Sequence, residues 1–102
     1  MTPSVRVDPH FFSELDVQLG ESRGPNGEPS ASDFLLVELP TLSAVFAERF
    51  DELPTLYPDR DDYRYLVAAG LLVHAVTITA QLDADGSIVL FGIDIDLTGW
   101  PS

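Results

Sequence analysis

Four aspartates near the end of the sequence have the side-chain chemistry of a metal site. Asp83 and Asp85 lie in LDADGS, and Asp94 and Asp96 alternate with isoleucine in GIDID. Hard divalent cations prefer oxygen ligands, so Asp94 and Asp96, on one face of a predicted strand, would hold a cation if a third ligand joined them. LDADGS lacks the ligand spacing of a calcium loop, and Asp-Gly is typical of a hairpin tip. We therefore expect a hairpin and a solvated strand edge, with no metal and no other cofactor.

The candidates for proton transfer and charge neutralisation are Arg64 and His74. Arg64 lies between two tyrosines in DYRY, and the positive side chains of the chain are five arginines. His74 shares the phase of the apolar residues in its predicted strand, where a single histidine is more often a core residue than a catalyst. No glycine-rich phosphate loop or Ser-His-Asp motif accompanies either residue. The residue types alone therefore assign neither of them a catalytic role.

The composition predicts one domain, residues 1–102, with an acidic surface. Hydrophobic residues make up 45% of the chain, and 17 carboxylates against five arginines give a net charge of -12. Such a surface repels phosphate, which disfavours direct binding of nucleic acid. Three explanations of the acidity stay open: a generally acidic proteome, a basic partner protein, or imitation of a nucleic acid.

Neither export nor membrane insertion is expected from the sequence. Gly70 and His74 interrupt the longest apolar run, LVAAGLLVHAV, and MTPSVRVDPH lacks the basic and apolar regions of a signal peptide. The absence of cysteine excludes disulfides and thiolate chemistry. We expect a cytoplasmic protein.

The first part of the chain predicts a strand followed by a helix. Val5 and Val7 alternate with Arg6, which indicates a strand, and Asp8-Pro9 is typical of a helix start. Gly20 is expected to end this helix, whose apolar stripe consists of Phe11, Leu15 and Leu19.

A loop and a long helix follow. Residues 21–30 are rich in glycine and proline and predict a mobile loop. Ser30 and Asp33 resemble a capping pair for a helix from about Ser32 to Leu53, which Pro40 should kink or divide. Its apolar face recurs at steps of three and four residues: Leu35, Leu39, Leu42, Phe46, Phe50 and Leu53.

The last part of the chain predicts three strands, at about 63–69, 71–82 and 87–97. Turns are expected at 69–70 and 83–86, so the strands form an antiparallel meander. Strict alternation gives the inner face of the middle strand as Leu72, Val76, Ile78, Ala80 and Leu82, and that of the last strand as Val89, Phe91, Ile93, Ile95 and Leu97.

That alternation leaves an apolar patch on the opposite face, made of Leu71, Val73, Ile88 and Leu90. A small acidic monomer should not expose such a patch to water, so we expect it to bind a partner chain, a second copy, or Trp100.

The predicted order is β-α-α-β-β-β, an α+β fold with two helices on a small antiparallel sheet. This pattern resembles the RelE/ParE superfamily of toxins from toxin-antitoxin systems. The segments that carry the resemblance are VRVDPHFFSELDVQL at the start and DYRYLVAAGLLVHAV with DGSIVLFGIDI at the end. The resemblance implies a phosphate contact for Arg64, the arginine of a "YR" strand. It also implies an antitoxin partner, and gyrase or translation as the target.

The chain departs from that family in its charge, because it lacks lysine and any basic cluster after the last strand. We therefore expect a toxin component, or a degenerate relative, that binds a protein partner without cleaving RNA. The alternative is a stand-alone acidic interaction module, either a homodimer or a nucleic-acid mimic. With so many carboxylates, we also predict that Arg64 lies within salt-bridge distance of one, such as Asp62, Asp94 or Asp96.

Overall fold

The computed structural model describes residues 3–20, 30–69 and 74–96. It confirms the α+β class, with helices packed on a five-stranded, mostly antiparallel sheet. The strands are β1 Val5–Val7, β2 Thr55–Tyr57, β3 Arg60–Ala69, β4 Ala75–Leu82 and β5 Ile88–Asp96. The helices are α1 Pro9–Gln18, α2 Ala31–Asp33 and α3 Leu39–Arg49; a π-helical turn, Phe34–Glu38, joins α2 to α3, and a 3₁₀ turn, Phe50–Glu52, follows α3.

The sheet has the strand order β1-β5-β4-β3-β2. β1 runs parallel to β5, and the other pairs are antiparallel. The short strand β2 lies in a segment that reads as an extended connector in the sequence, because it has only three residues and is flanked by Pro54 and Pro58. The described part of the chain thus forms the predicted meander with one strand added at each edge.

Helix α1 begins as the sequence predicts. The Asp8 side chain accepts a hydrogen bond from the His10 backbone N–H at 2.8 Å, and Pro9 occupies the first turn. The predicted stripe is buried, with Phe11, Leu15 and Leu19 each at most 2% exposed. The helix ends before Gly20, because Leu19 already has an extended backbone.

The second helical segment starts with the predicted capping box. Ser30 Oγ accepts from the Asp33 N–H at 3.1 Å, and the Asp33 carboxylate accepts from the Ser30 N–H at 3.0 Å. The expected interruption at Pro40 takes the form of the π-helical turn just before it, where the Leu39 N–H bonds Phe34 O, five residues back. The wider turn accommodates a proline that has no N–H to donate and whose ring would crowd an α-helical carbonyl.

The π-helical turn also changes which residues reach the core. It adds one residue to a turn, so the side chains before it are rotated relative to those after it. Phe34 is fully buried, whereas Leu35, the predicted core residue, is half-buried. After the turn the prediction holds, and Leu42, Phe46 and Phe50 are buried.

A β-bulge in β5 overturns part of the predicted strand phase. Thr79 pairs with Gly92 and Ala80 pairs with Leu90, so Phe91 is an extra residue in β5. A one-residue insertion exchanges the two faces for everything on one side of it. The predicted inner positions Val89 and Phe91 therefore lie on the other face, whereas Ile93, beyond the bulge, is buried as predicted.

The predicted exposure of Ile88 and Leu90 is accordingly wrong. Both are 0% exposed and belong to the hydrophobic core. Gly92 lies next to the bulge and permits close packing of the two strands, because a Cβ at this position would overlap Thr79 Oγ1 on the neighbouring strand. Leu71 and Val73, the other half of the predicted patch, lie outside the described residues, as do most of the predicted mobile loop and the turn at Gly70.

Beyond the end of β1, a side chain of α1 pairs with the edge of β5. Gln18 Nε2 donates to Ile93 O at 2.7 Å, and the Ile95 N–H donates to Gln18 Oε1 at 2.5 Å. One side-chain amide thus takes the place of a strand residue and satisfies two backbone groups. This pairing fixes α1 against β5, with Glu14 about one turn and His10 about two turns before Gln18.

Candidate functional site

One face of the sheet packs on the helices and the other does not. The buried residues of β4 and β5 are Val76, Ile78, Ala80, Ile88, Leu90 and Ile93, all on the core face. We call the opposite surface the open face; it is formed by Tyr63, Tyr65 and Val67 of β3, Thr77, Thr79 and Gln81 of β4, and Val89, Phe91 and Asp94 of β5. Partly exposed aromatic, hydroxyl and carboxylate groups on a rigid sheet make this the candidate site.

Three aromatic rings form a row across the open face. The ring centroids of Tyr57 and Tyr63 are 5.3 Å apart, and those of Tyr63 and Phe91 are 6.0 Å apart. Both pairs are edge-to-face, at 79° and 87°, a favourable geometry for aromatic quadrupoles. The bulge brings Phe91 onto this face. The row therefore links the β2 edge of the sheet to β5.

An arginine and an aspartate lie beside the central ring of this aromatic row. The Arg60 guanidinium lies 4.9 Å from the centre of the Tyr63 ring and bonds both oxygens of Asp62, at 2.9 and 2.7 Å. The bond from Arg60 lowers the pKa of the Asp62 carboxyl, and the same bond raises the pKa of Arg60. The charge of Arg60 is thus already matched by Asp62.

A groove lies between α1 and the open face. We call it the α1 groove; it encloses about 320 Å³ and is lined by His10, Glu14, Thr77, Thr79, Phe91, Gly92, Ile93 and Asp94. His10 Nε2 and Glu14 Oε1 are 3.1 Å apart on the helix side. Thr79 Oγ1 takes the space that a side chain at Gly92 would need, and Glu14 Oε1 lies 3.8 Å from the same position.

A larger depression lies elsewhere, between the end of α3 and the β4–β5 turn. It encloses about 730 Å³ and is bordered by charged residues such as Glu48, Asp51 and Glu52. Arg49, which also lines it, pairs with Glu52 at 3.2 Å on the exposed surface. The rest of the lining is small or apolar, as at Ala47 and Leu82, and the one aromatic residue, Phe50, belongs to the core. We therefore regard the open face, with its partly exposed aromatic rings, as the better candidate site.

Arg64 forms no ion pair with a carboxylate of the described residues, contrary to the prediction. Within the described ranges, its guanidinium bonds backbone carbonyls instead: Asp61 O at 2.8 Å, Asp51 O at 3.2 Å and Leu53 O at 2.7 Å. It also lies 5.6 Å from the centre of the Phe50 ring. The side chain reaches the end of the helical segment, where carbonyls lack intrahelical partners, and these carbonyls attract the guanidinium.

The other predicted site residues are dispersed. His74 is exposed, because β4 begins only at Ala75, and its backbone N–H donates to Asp96 O at 3.0 Å; its predicted place on the core face is wrong. Asp94 and Asp96 are exposed on β5, and Asp94 lines the α1 groove. Across the described parts of the chain, no group of three or more histidine, aspartate or glutamate side chains is placed to hold a metal ion.

Sequence reasoning missed the aromatic row. Phe91 is distant in the sequence from Tyr57 and Tyr63, and strict alternation predicts that it faces the core. One signal was present: a glycine within a strand, here Gly92, often marks a bulge. Placing the bulge after Leu90 would have turned Phe91 outward.

The opposite end of the open face carries a second charge network. Arg6 of β1 bonds Asp83 at 2.7 Å and lies 3.8 Å from Asp85, both in the β4–β5 turn. The hydroxyl and the backbone N–H of Ser87 both donate to Asp85 and lower the pKa of its carboxyl. This arginine, like Arg60, already has a carboxylate partner.

Comparisons with protein-family models, curated proteins and solved structures found no match to this chain. No helix in the described ranges is long and apolar enough to cross a membrane.

Proposed function

We propose that this chain is a protein-binding domain, a RelE/ParE-like toxin component or a degenerate relative of one, that binds a protein partner through the open face of its sheet. The observation that carries the proposal is the aromatic row of Tyr57, Tyr63 and Phe91. Aromatic residues are enriched at the centres of protein interfaces, where they supply large contact areas at small entropic cost. The cytoplasm, where antitoxins act, is the proposed location.

Exposure along the row supports a binding role. Tyr57 is 49% exposed and Val67, on the same face, is 60% exposed. Thr77 and Thr79 place hydroxyl groups between the strands that carry these rings. A flat apolar centre with polar groups beside it is the usual composition of a protein interface.

The arrangement of the arginines favours binding over phosphate chemistry. Cleavage of RNA requires positive groups that are available to a phosphate. Arg64, the residue to which the family resemblance gives a phosphate contact, donates to three backbone carbonyls. Arg6 and Arg60, which flank the open face, are paired with carboxylates.

The element order also supports the family part of the proposal. A strand, a helix, a second helical segment and an antiparallel meander follow one another, as the resemblance implies. The additional strand β2 lies at the edge of the sheet and leaves this order unchanged.

The alternative, a stand-alone acidic module, has less support. A nucleic-acid mimic needs carboxylates spaced along one continuous face at intervals close to those of phosphates. On the open face the aromatic row occupies the centre, and carboxylates such as Asp62 and Asp94 lie beside it. A homodimer through Ile88 and Leu90 is not supported, because both side chains are buried in the core and are not available for contact with a second copy.

Co-expression with the product of the adjacent reading frame tests the proposal. We expect the tagged chain to co-purify with that product, and Tyr63→Ala to abolish co-purification while the far-ultraviolet circular dichroism is unchanged. Leu36→Ala, which removes a side chain that is 78% exposed on the π-helical turn, is the matched control and should bind normally. Growth arrest by the chain alone, relieved by its neighbour, would support the toxin component.

Normal co-purification of both Tyr63→Ala and Tyr57→Ser would show that the open face is not the binding surface. A chain that neither arrests growth nor binds either neighbouring product would remove the toxin-antitoxin proposal.

A further inference from the structure

The charge of the open face restricts what kind of segment can bind there. We propose that the partner segment is positively charged and that one of its arginine or lysine side chains enters the α1 groove. This inference rests on the proposed function and identifies the chemistry of the partner.

The walls of the α1 groove supply what a cationic side chain needs. Glu14 contributes a carboxylate from α1 and Asp94 contributes one from β5, while Thr77 and Thr79 add hydroxyl oxygens that accept hydrogen bonds. Charge-assisted bonds from a guanidinium or an ammonium to such oxygens are stronger than neutral ones. The Phe91 ring completes the lining, and aromatic rings attract cations through their quadrupole.

The charge balance favours a cation over the other occupants of the open face. The chain carries a net charge of -12, so a second copy would be repelled, and so would a phosphate backbone. Arg60 and Arg6 are paired with Asp62 and with the carboxylates of the β4–β5 turn, so they do not neutralise Asp94. A basic segment therefore meets complementary charge near Phe91.

The size of the groove fits a single long side chain. Its 320 Å³ lie at the lower end of the range for small-ligand pockets, about 300–1,000 Å³. His10 contacts Glu14 there, but its side chain is 67% exposed and can turn toward solvent when a cation arrives. The aromatic row continues from the groove toward β2, which provides a path for an extended segment.

A labelled ten-residue peptide of alternating arginine and threonine tests this inference by fluorescence anisotropy. The matched control peptide replaces each arginine with citrulline, which keeps the shape and removes the charge. We expect the arginine peptide to bind at least tenfold more tightly than the citrulline peptide. Raising the salt from about 0.1 M to about 1 M, which shortens the screening length from about 10 Å to about 3 Å, should weaken the binding.

Variants of the protein separate the groove from general attraction. Asp94→Asn and Glu14→Gln should each weaken binding of the arginine peptide about tenfold, because each removes one charged acceptor. Asp16→Asn is the control, since it removes the same charge from the exposed, opposite side of α1. Equal loss of affinity in all three variants would show diffuse electrostatic attraction and overturn the inference. So would complete displacement of the arginine peptide by spermine if spermine binds as tightly as the peptide.

Failure here is distinguishable from failure of the proposed function. If Tyr63→Ala abolishes co-purification of the natural partner but Asp94→Asn and Glu14→Gln leave it intact, the open face binds a partner and the cationic anchor is refuted. If both Tyr63→Ala and Tyr57→Ser leave co-purification intact, the open face is not the binding surface and the proposed function is refuted.

Discussion

Arg64→Ala should destabilise the fold, because the Arg64 side chain connects β3 to the end of the helical segment through hydrogen bonds to backbone carbonyls. The bond to Leu53 O is partly buried and is worth about 1–1.5 kcal/mol. The two bonds to Asp61 O and Asp51 O are exposed and contribute a few tenths each, since water replaces the donor. The contact with the Phe50 ring adds about 0.5–1 kcal/mol. We expect a total loss of about 2–3 kcal/mol.

Urea unfolding followed by circular dichroism measures this loss. With an m-value of about 1.5 kcal/mol/M for a domain of this size, the midpoint should fall by about 1–2 M. Arg64→Lys keeps the charge but not the planar fork of donors, so it should recover only part of the loss. Arg49→Ala is the matched control: its ion pair with Glu52 is exposed, so its removal should leave the urea midpoint almost unchanged.

Equal midpoints for Arg64→Ala and Arg49→Ala would refute this reasoning. They would show that water satisfies the carbonyls as well as the guanidinium does. An unchanged midpoint together with a loss of cellular activity would restore the phosphate-contact role that the family resemblance implies.

Three further predictions concern the bulge, the edge of the sheet and the β4–β5 turn. Gly92→Ala should lower the free energy of unfolding, measured in urea, by about 1–3 kcal/mol, because the added Cβ crowds Thr79 Oγ1. Adding Thr79→Ala should restore most of this loss, and additive losses in the double variant would contradict the contact. Gln18→Glu keeps the acceptor but sets a carboxylate against a carbonyl of β5, so its stability relative to wild type should improve as the pH falls and the glutamate is protonated; a pH-independent difference would contradict this. Asp85 has a lowered pKa through its bonds from Ser87, so it stabilises the fold above the ordinary aspartate pKa and loses this contribution as the pH falls through its lowered value. In an NMR titration, Ser87→Ala should raise the pKa of Asp85, and an unchanged pKa would be inconsistent with the hydrogen bond from the Ser87 hydroxyl. The Ser87→Ala variant should also be less stable than the wild type, by an amount that becomes smaller below about pH 4.

The helix starts were predictable because their causes are local. Asp8 and Pro9 fix the first turn of α1, and Ser30 and Asp33 bond each other across three residues. Such signals need no knowledge of the tertiary structure. The π-helical turn before Pro40 was only half predictable, since proline indicates an interruption but not its geometry.

The phase of β5 was not predictable by alternation alone. Counting every second residue assumes an uninterrupted ladder, and the bulge depends on Thr79 in the neighbouring strand as well as on Gly92. The resulting error moved Ile88 and Leu90 to the surface and Phe91 to the core. For the same reason alternation did not predict the candidate site, because the aromatic row forms only when Phe91 faces outward.

The ion pair predicted for Arg64 is absent among the described residues for a different reason. Composition makes a carboxylate the most abundant partner for any arginine of this chain, but composition contains no distances. The fold brings the backbone carbonyls at the end of the helical segment next to β3. These carbonyls accept hydrogen bonds from the Arg64 guanidinium.

The parallel pairing of β1 with β5 has a consequence for the order in which the protein assembles during synthesis. Val5 pairs with Ile88, so β5, the partner of β1, is translated after the other elements that the structure describes. Until β5 emerges, β1 lacks its neighbour in the sheet, and the apolar side of α1 lacks the strand against which it packs. Because contacts so distant in sequence are slow to close, the nascent chain exposes Phe11 and Leu15 through most of its translation. The pairing of β1 and the covering of α1 are therefore late steps in assembly, whereas β2, β3 and β4 pair with near neighbours in the sequence and do not depend on β5.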